Sequence, residues 1–151
     1  MKAENLNTKN LNMTTATITT DINIGPFKIP SNGQNMIMNN YAQRNNLEIE
    51  IVIPEPIMSN ELATTQWLHK DFKFSKVILC SIHQLPNKKN KIEIFLQNMK
   101  EVEFHFVLES ISGKGEKFLL DCIKESKIFL NAENLDSNKL NWLDLHQMFV
   151  K

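Results

Sequence analysis

The sequence predicts a three-layer α/β/α domain built on a mostly parallel sheet of four to five strands. Strand patterns alternate with helix patterns along the chain, an order typical of parallel sheets whose crossover connections are helices. The segment KVILCSI, residues 76–82, is a short continuous apolar run, as expected for a strand buried on both faces. With 151 residues, of which 42% are hydrophobic, the chain is long enough to bury one core.

The first half of the predicted domain contains two strands and one helix. Residues 17–24 (TITTDINI) are rich in β-branched side chains, which favour a strand. Residues 33–46 (GQNMIMNNYAQRNN) repeat apolar side chains at three- and four-residue spacing, which predicts a helix that Ser31 caps and that ends at Asn45 and Asn46. Residues 47–53 (LEIEIVI) alternate apolar and acidic side chains, which predicts the second strand. Residues 1–16 are polar and are expected to form a flexible tail, so the single domain is predicted to span residues 17–151.

The second half predicts two more strands, further helices and a C-terminal helical segment. The elements are, in order, a helix over residues 59–69, a strand over 76–82, a helix that starts near Pro86, a strand over 102–110, a loop at Gly113 and Gly115, and a helix over 116–124. The segment LNWLDLHQMFV, residues 140–150, is expected to dock an apolar stripe on the domain. Trp67 and Trp142 are predicted to anchor the core rather than to stack on nucleic acid.

Charge and cysteine content argue against several classes of protein. The 17 basic and 17 acidic residues give a formal net charge of zero, without the positive field that draws proteins to nucleic acid or anionic lipid. Cys80 and Cys122 are too few for a disulfide framework and wrongly spaced for zinc. No segment approaches the length of a membrane span, and the first residues lack an apolar secretion signal. We therefore expect a cytoplasmic protein without a nucleic-acid partner, membrane insertion, metal or cofactor.

The candidate site lies beyond the carboxyl ends of the predicted strands, where ligands bind in parallel α/β sheets. Glu55 follows the second strand and His83 the third; they are the candidate catalytic groups, because a carboxylate near an imidazole can poise its pKa for acid–base chemistry. The expected ligand-binding residues are Asp21, Gln34, Asn35, Gln84 and Glu109. The competing interpretation is that each of these residues is a solvated loop residue or a helix cap.

Two further observations narrow the range of reactions and ligands that the sequence supports. His105 lies mid-strand between two phenylalanines and is expected to form hydrogen bonds inside the fold, and Cys80 is expected to be a small buried hydrophobic residue. The sequence contains no GxxxxGK[ST], no GxGxxG after the first strand and no GxSxG, so the best evidence for common nucleotide sites and for α/β-hydrolase chemistry is missing.

Three segments follow one another in a familiar order: IPSNGQNMIMNNYAQRNNLEIEIVIPEPIM, VILCSIHQLPNKKNKIEIF and VEFHFVLES. Together they resemble the sporadic carbohydrate cluster proteins, small bacterial proteins encoded among genes for surface polysaccharide synthesis. The most specific features are Gln34 with Asn35, Glu55, the Gln84-Leu85-Pro86 turn and the FHFVLE run that ends at Glu109. Members of that family usually carry a Ser-Arg pair after the first strand and a Tyr after the Glu. We place Asp21 and Ile22 at the pair and Pro56 at the Tyr.

That family is in turn distantly similar to the catalytic domain of serine recombinases, so the resemblance implies a resolvase-like or flavodoxin-like fold. In recombinases a serine near the first strand attacks DNA, and arginines hold the phosphate. The corresponding loops here contain no arginine, since Arg44 is the single arginine of the chain. Phosphodiester chemistry needs cationic stabilisation of its transition state, so the recombinase likeness predicts a fold and not an activity.

The resemblance implies an accessory protein or small enzyme of bacterial surface polysaccharide biosynthesis, with a nucleotide sugar or glycan precursor as ligand. Whether the protein is an enzyme stays open at this point. The alternative is a non-catalytic interaction or dimerisation module on a degenerate serine-recombinase-like fold, which forms a homo-oligomer or docks on a polysaccharide biosynthesis enzyme. A degenerate recombinase that still binds DNA is the weakest possibility, because the chain is neutral.

Overall fold

The computed structural model describes residues 14–21, 23–56 and 61–139, with side chains up to residue 128. Five strands and four helices alternate along this part of the chain. Their bounds are β1 (Thr15–Thr20), α1 (Ser31–Arg44), β2 (Ile49–Glu55), α2 (Ala63–Phe72), β3 (Lys76–Leu79), α3 (Lys89–Met99), β4 (Glu103–Phe106), β5 (Ile111–Lys114) and α4 (Glu116–Lys139). No described helix is long and apolar enough to cross a membrane.

The strands form one sheet in the order β2-β1-β3-β4-β5. The first four strands are parallel, and β5 returns antiparallel to β4. Thr17 in the inner strand β1 aligns with Val52 on one side and with Ile78 on the other. On the outer strand β2, Pro54 aligns with Thr19. The predicted α/β class with a mostly parallel sheet is confirmed.

Helices cover both faces of the sheet, so the molecule has the three predicted layers. On one face, Met38 and Ala42 of α1 pack with Ile78 and Cys80. On the other face, apolar residues of α3 and α4, among them Phe95, pack on the alternate strand residues in a larger core. Because consecutive strand residues point to opposite faces, the apolar run from Val77 to Cys80 supplies both cores, as its lack of polar residues indicated.

All four predicted strands differ in their bounds from the observed ones. β2 lies two residues later than predicted, and β4 ends at Phe106 rather than at residue 110. β1 starts at Thr15, before the predicted start at residue 17, and all six of its residues are buried. It ends at Thr20, and Ile24 instead pairs with Phe27 in an isolated bridge. β3 stops at Leu79 because the next residues turn into a single 3₁₀ turn, Ile82–Gln84.

The predicted loop at Gly113 and Gly115 is wrong in its first half, because residues 111–114 form β5. Gly113 aligns with Phe104 of β4, and a Cβ added at this glycine would lie 2.6 Å from Cδ2 of Phe118. The close approach explains why a glycine occupies this strand. The turn that precedes β5 includes Ser110, whose φ of 55° is left-handed.

The helices also differ in places from their predicted ranges. α2 starts at Ala63, after Leu62 in a left-handed conformation, whereas the predicted helix began at residue 59. Trp67 on this helix is 64% exposed, so its predicted role as a core anchor is wrong. The helix predicted over residues 116–124 continues to Lys139. The predicted docking segment with Trp142 lies outside the described residues.

Candidate functional site

The structure brings two of the predicted site residues together through Ser81, at the end of β3. The Ser81 hydroxyl donates to Oε1 of Glu109 at 2.5 Å, and the backbone N–H of Ile82 donates to the same oxygen at 3.2 Å. Oε1 of Gln84 accepts the N–H of Ser81 at 3.1 Å, while Oγ of Ser81 accepts the N–H of His83 at 3.2 Å. This reciprocal arrangement is a capping box, which satisfies backbone donors that a turn otherwise leaves without partners. Glu109 and Gln84 therefore fix the turn after β3.

Gln34 fixes the connection between β1 and α1. Its side chain is completely buried. Oε1 accepts the backbone N–H of Thr20 at 2.9 Å, and Nε2 donates to the carbonyl oxygens of Thr20 and Ile29, both at 2.8 Å. An amide can satisfy a donor and acceptors at once, which is why this residue type suits a buried connection.

Glu55 is at the end of β2 and is 1% exposed. Oε1 accepts the backbone N–H of Thr65 at 2.6 Å and its hydroxyl at 2.7 Å, and Oε2 accepts the N–H of Thr64 at 3.3 Å. These contacts place a carboxylate at the N-terminus of α2, where it satisfies free N–H groups and complements the helix dipole. In this geometry Glu55 has the contacts of a helix cap, and its part in acid–base chemistry stays a prediction.

His83 and Asp21 are two of the predicted site residues that reach the surface of this edge. The imidazole of half-buried His83 lies against Gly25, where an added Cβ would be 2.5 Å from Cγ of the ring. Gly25 has a φ of +56°, so this position favours glycine for its conformation as well as for its lack of a side chain. The ring of Phe27 is 6.5 Å from that of His83, and Asp21 accepts a hydrogen bond from Ser31 at 3.4 Å.

The two candidate acidic groups, Glu55 and Glu109, belong to different parts of the edge. Two strands, β1 and β3, separate β2 from β4. At the usual spacing of neighbouring strands this is a distance of about 14 Å between the two strand axes. The structure therefore does not pair Glu55 with Glu109. Asn35, the other predicted residue on α1, is half-buried and follows Gln34 in the chain.

Sequence reasoning missed Thr20, and it placed Ser81 at the end of the third strand without giving it a role. The resemblance placed Asp21 at the serine of the related proteins, but β1 ends one residue earlier, so the hydroxyl at the strand end belongs to Thr20. Oγ1 of Thr20 and Oε2 of Glu109 are buried without a hydrogen-bond partner among the described residues. Both positions can be recognised from the sequence, because Thr20 ends the β-branched run and Ser81 lies two residues before the predicted site residue His83.

Arg44 is at the opposite edge of the sheet from the candidate site. α1 starts in the connection after β1 and ends before the start of β2, so its last residue, Arg44, lies near the amino ends of the strands. Its side chain is exposed, and Nε donates to the carbonyl oxygen of Asn40 at 3.4 Å. Because the chain has no other arginine, the loops beyond the carboxyl ends of the strands have none.

Three further titratable groups, His105, Cys80 and Cys122, are buried inside the fold. Oη of Tyr41 is 2.7 Å from Nδ1 of His105, and the other ring nitrogen is 3.6 Å from Glu103, which confirms that His105 bonds within the fold. Burial lowers the pKa of His105, with Glu103 acting in the opposite direction. Burial raises the pKa of Cys80, and separately that of Cys122, to about 11, so both thiols are protonated and poor nucleophiles. The described residues contain no group of three or more metal-binding side chains.

Comparison with protein-family models and with curated proteins finds no match. Among solved structures, the crystal structure of the N-terminal catalytic domain of TP901-1 integrase is similar, with a TM-score of 0.54. The likeness covers 80% of this chain and 98% of the integrase domain, at 14% sequence identity. An identity this low shows a common fold and carries no activity across. This chain therefore has the resolvase-like fold of a serine integrase catalytic domain.

Proposed function

We propose that this chain is a non-catalytic accessory protein of bacterial surface polysaccharide biosynthesis, which binds a nucleotide sugar or glycan precursor without transforming it. One observation carries the proposal. The polar side chains that suggested a reactive site (Gln34, Glu55, Gln84 and Glu109) are hydrogen-bonded to the backbone or side chains of the loops, turns and helix that surround the strand ends. These side chains build a rigid edge, which is what a binding surface needs.

The hydrogen bonds of this edge argue against a reaction there. A general acid or base must exchange its proton with a substrate, so its oxygen atoms need access to that substrate. Glu55 is buried and bonded to α2, and Oε1 of Glu109 is bonded to Ser81 and Ile82. Breaking such buried bonds costs about 1–3 kcal/mol for each group left without a partner. Acid–base use of either carboxylate would therefore disturb the elements that it holds.

Recombinase chemistry is also unsupported by the residues at this edge. The anionic transition state of phosphodiester cleavage needs fixed cationic groups, and the single arginine lies at the opposite edge. The strand-end hydroxyl belongs to Thr20, which is 5% exposed. A shared fold with the integrase domain is thus compatible with a protein that binds a ligand and does not cut DNA.

The accessible groups of the edge suit a ligand that bears hydroxyl groups. Asp21 is exposed and can accept hydrogen bonds, His83 can donate or accept, and the ring of Phe27 is 38% exposed. Carboxylate, imidazole and aromatic groups in one place offer both polar and apolar contacts, the usual composition of a small-molecule site. The carbohydrate setting itself rests on the resemblance of residues 29–110 to the sporadic carbohydrate cluster proteins.

A titration with UDP-glucose, GDP-mannose and other nucleotide sugars tests the proposal. We expect saturable binding by the wild type, with the nucleotide sugar recovered unchanged after incubation. Asp21→Asn and His83→Ala should weaken the binding, whereas Asp71→Asn, a change of the same kind at an exposed position of α2, should not. Circular dichroism of each variant establishes that it is folded.

Three results would contradict the proposal. Release of free nucleotide or of an altered sugar would identify an enzyme instead of a binding protein. Nicking of supercoiled DNA would restore the recombinase interpretation. If no nucleotide sugar of the panel binds to the folded wild type, the ligand class is wrong.

A second candidate, a dimerisation module, is favoured by the exposed apolar residues on α2 and α3. Trp67 is 64% exposed and Ile94 is 52% exposed, and both line a cavity of about 200 Å³ between these helices. We take a second copy of this chain as the partner. Light scattering after size exclusion should then show a dimer that Trp67→Gln converts to a monomer, while Met36→Gln on the exposed side of α1 leaves it intact. A wild type that is monomeric at high concentration would remove this candidate.

A further inference from the structure

The described part of the chain contains a second cleft, at the edge of the sheet opposite to the candidate site. It is a cavity of about 850 Å³ that lies between the C-terminus of α2, the starts of β3 and β4 and the end of β5. Ligand sites for small molecules commonly have volumes of about 300–1,000 Å³. The cleft is thus large enough for a small organic ligand.

Positive charge is concentrated in this cleft. Its lining includes Lys70, Lys73, Lys76 and Lys114, and two acidic residues, Glu101 and Glu103. Four lysines against two glutamates leave an excess of two positive charges in one place, on a chain whose net charge is zero. Charge gathered in a concave surface attracts anions more strongly than the same charges spread over a flat one.

Strand pairing holds part of this charge in a fixed row. Glu103 of β4 aligns with Lys76 of β3 on one side and with Lys114 of β5 on the other. Nζ of Lys76 is 3.8 Å from Oε2 of Glu103, so the Glu103 carboxylate already forms an ion pair with one lysine of the cleft. Lys70 and Lys73, at the end of α2, face solvent and add two flexible ammonium groups beside the row.

His69 and Phe74 give the cleft a neutral wall. Nδ1 of His69 accepts the backbone N–H of Phe74 at 2.9 Å, so the proton of the neutral ring is on Nε2, which is therefore a hydrogen-bond donor. Burial lowers the pKa of His69, and the nearby charge of Lys73 lowers it further. Phe74 is 3% exposed and forms an apolar part of the lining.

We propose that this cleft binds a phosphorylated sugar, with the lysines on the phosphate group and the glutamates on sugar hydroxyls. Lysine ammonium groups bind phosphate oxygens as point charges, and carboxylates accept hydrogen bonds from hydroxyl groups. The mixture of the two charges in one cavity fits a ligand with an anionic end and a hydroxyl-rich end. A nucleic-acid strand fits less well, since Glu101 and Glu103 would repel its repeated phosphates.

The inference rests on the proposed function only for the sugar part of the ligand. The phosphate part rests on the lysines of the cleft, which lie far from Asp21 and His83, at the other ends of the strands. The two sites can therefore be separated by mutation.

Isothermal titration calorimetry with inorganic phosphate, glucose 1-phosphate and glucose tests the cleft. We expect glucose 1-phosphate to bind most tightly and its affinity to fall as salt is added. The double variant Lys73→Asn/Lys114→Gln should weaken this binding by at least about tenfold, since it removes two ammonium groups that would bind the phosphate oxygens. Asn is chosen at position 73 because Lys73 has a φ of 45°, a conformation that Asn tolerates. The matched control is Lys89→Gln/Lys124→Gln, which removes the same charge from exposed positions outside the cleft.

Each contrary result overturns a defined part of the inference. If neither phosphate nor glucose 1-phosphate binds to the wild type, or if the two double variants bind equally, the cleft is not a phosphate site. If inorganic phosphate binds as tightly as glucose 1-phosphate, the sugar part is wrong. If duplex DNA binds instead and the cleft variant abolishes this, the cleft is a nucleic-acid site. If nucleotide sugars lose affinity on Asp21→Asn while glucose 1-phosphate binds the two double variants equally, the proposed function stands and the cleft inference fails.

Discussion

Gln34 illustrates how a single buried amide can organise the edge of a sheet. Its three hydrogen bonds join α1 to the last residue of β1 and to the loop before the helix. No water can replace these bonds without opening the packed connection, because the side chain is 0% exposed. The loop that contains Phe27 and lies against His83 is thus tied to α1 by a residue that itself never reaches the surface.

Replacing Gln34 by alanine should lower the free energy of unfolding by about 2–4 kcal/mol, because it leaves buried backbone groups of Thr20 and Ile29 without partners. Urea denaturation monitored by circular dichroism measures the change. Gln43→Ala removes an amide from an exposed position of the same helix and should stay within about 0.5 kcal/mol of the wild type. Equal stability of the two variants would show that the three bonds contribute little.

At the scale of single residues, the sequence predicts where the polar site residues lie better than it predicts what they do. Strand ends and their polar residues follow from the pattern, since a parallel sheet collects the carboxyl ends of its strands at one edge. Whether Glu109 contacts a ligand or its own fold depends on how the chain brings Ser81 within 2.5 Å of it, and sequence spacing contains no such distance. Helix caps and catalytic carboxylates use the same residue types, which is why Glu55 suggested both.

The N-terminus of α2 depends on Glu55 from another element. The residue before the helix, Leu62, has a left-handed φ of 52° and provides no side-chain cap. Glu55→Ala should therefore destabilise the protein by about 1–3 kcal/mol, because free N–H groups at the start of α2 lose a charged acceptor. Glu50→Ala, at an exposed position of the same strand, is the control in thermal denaturation. A variant Glu55→Ala that is as stable as the control would mean that α2 does not need this cap.

β5 depends on the absence of a side chain at Gly113. Gly113→Ala should reduce stability by about 1–3 kcal/mol, since its Cβ would enter the space of the Phe118 ring and force α4 away from the strand. Ser112→Ala, at the neighbouring exposed position, should have little effect in the same chemical denaturation experiment. If Gly113→Ala were neutral, the packing of α4 on β5 would be looser than described.

β5 was not predictable from its own residues. ISGK contains a glycine and two exposed side chains, and it pairs with only one neighbour, so it lacks the apolar run and alternation that identified the inner strands. Its position comes from the antiparallel pairing with β4, which is a tertiary contact. By contrast, β3 and α3 have patterns strong enough to be placed from the sequence alone.

For the whole molecule, two histidines with lowered pKa values contribute to the response to acid. The pKa values of His69 and His105 lie below the ordinary value of 6.5, mainly because both rings are buried. The unfolded chain then binds more protons than the folded one just below pH 6.5, so stability falls as the pH drops from 7.5 to 5.5. Protonation of His69 at Nδ1 would also remove the hydrogen bond from Phe74.

Urea denaturation at pH 7.5, 6.5 and 5.5 measures this dependence. We expect the free energy of unfolding to decrease across the series, and the decrease to be smaller in His69→Gln, which cannot titrate in this range. A stability that is constant or rises toward pH 5.5 would contradict the assigned direction.

The net charge of the molecule conceals how the charge is arranged. Seventeen basic and seventeen acidic residues cancel over the chain, yet lysines from α2, β3 and β5 meet in one cleft. Lys70 and Lys114 are 44 positions apart, so no window of the sequence contains the cluster. A neutral composition therefore limits the field of the whole protein but does not limit the field of a local cavity.

The two outer strands of the sheet also disfavour the addition of strands from other molecules. A sheet with open edges can add strands from other molecules, and such growth is a route to aggregation. On one edge, β2 contains Pro54, which has no N–H group to offer an incoming strand. On the other, β5 is only four residues long and ends in Lys114. Extension of the sheet is thus disfavoured at both edges, which fits the proposal that a second copy of this chain would bind at the helical face of α2 and α3.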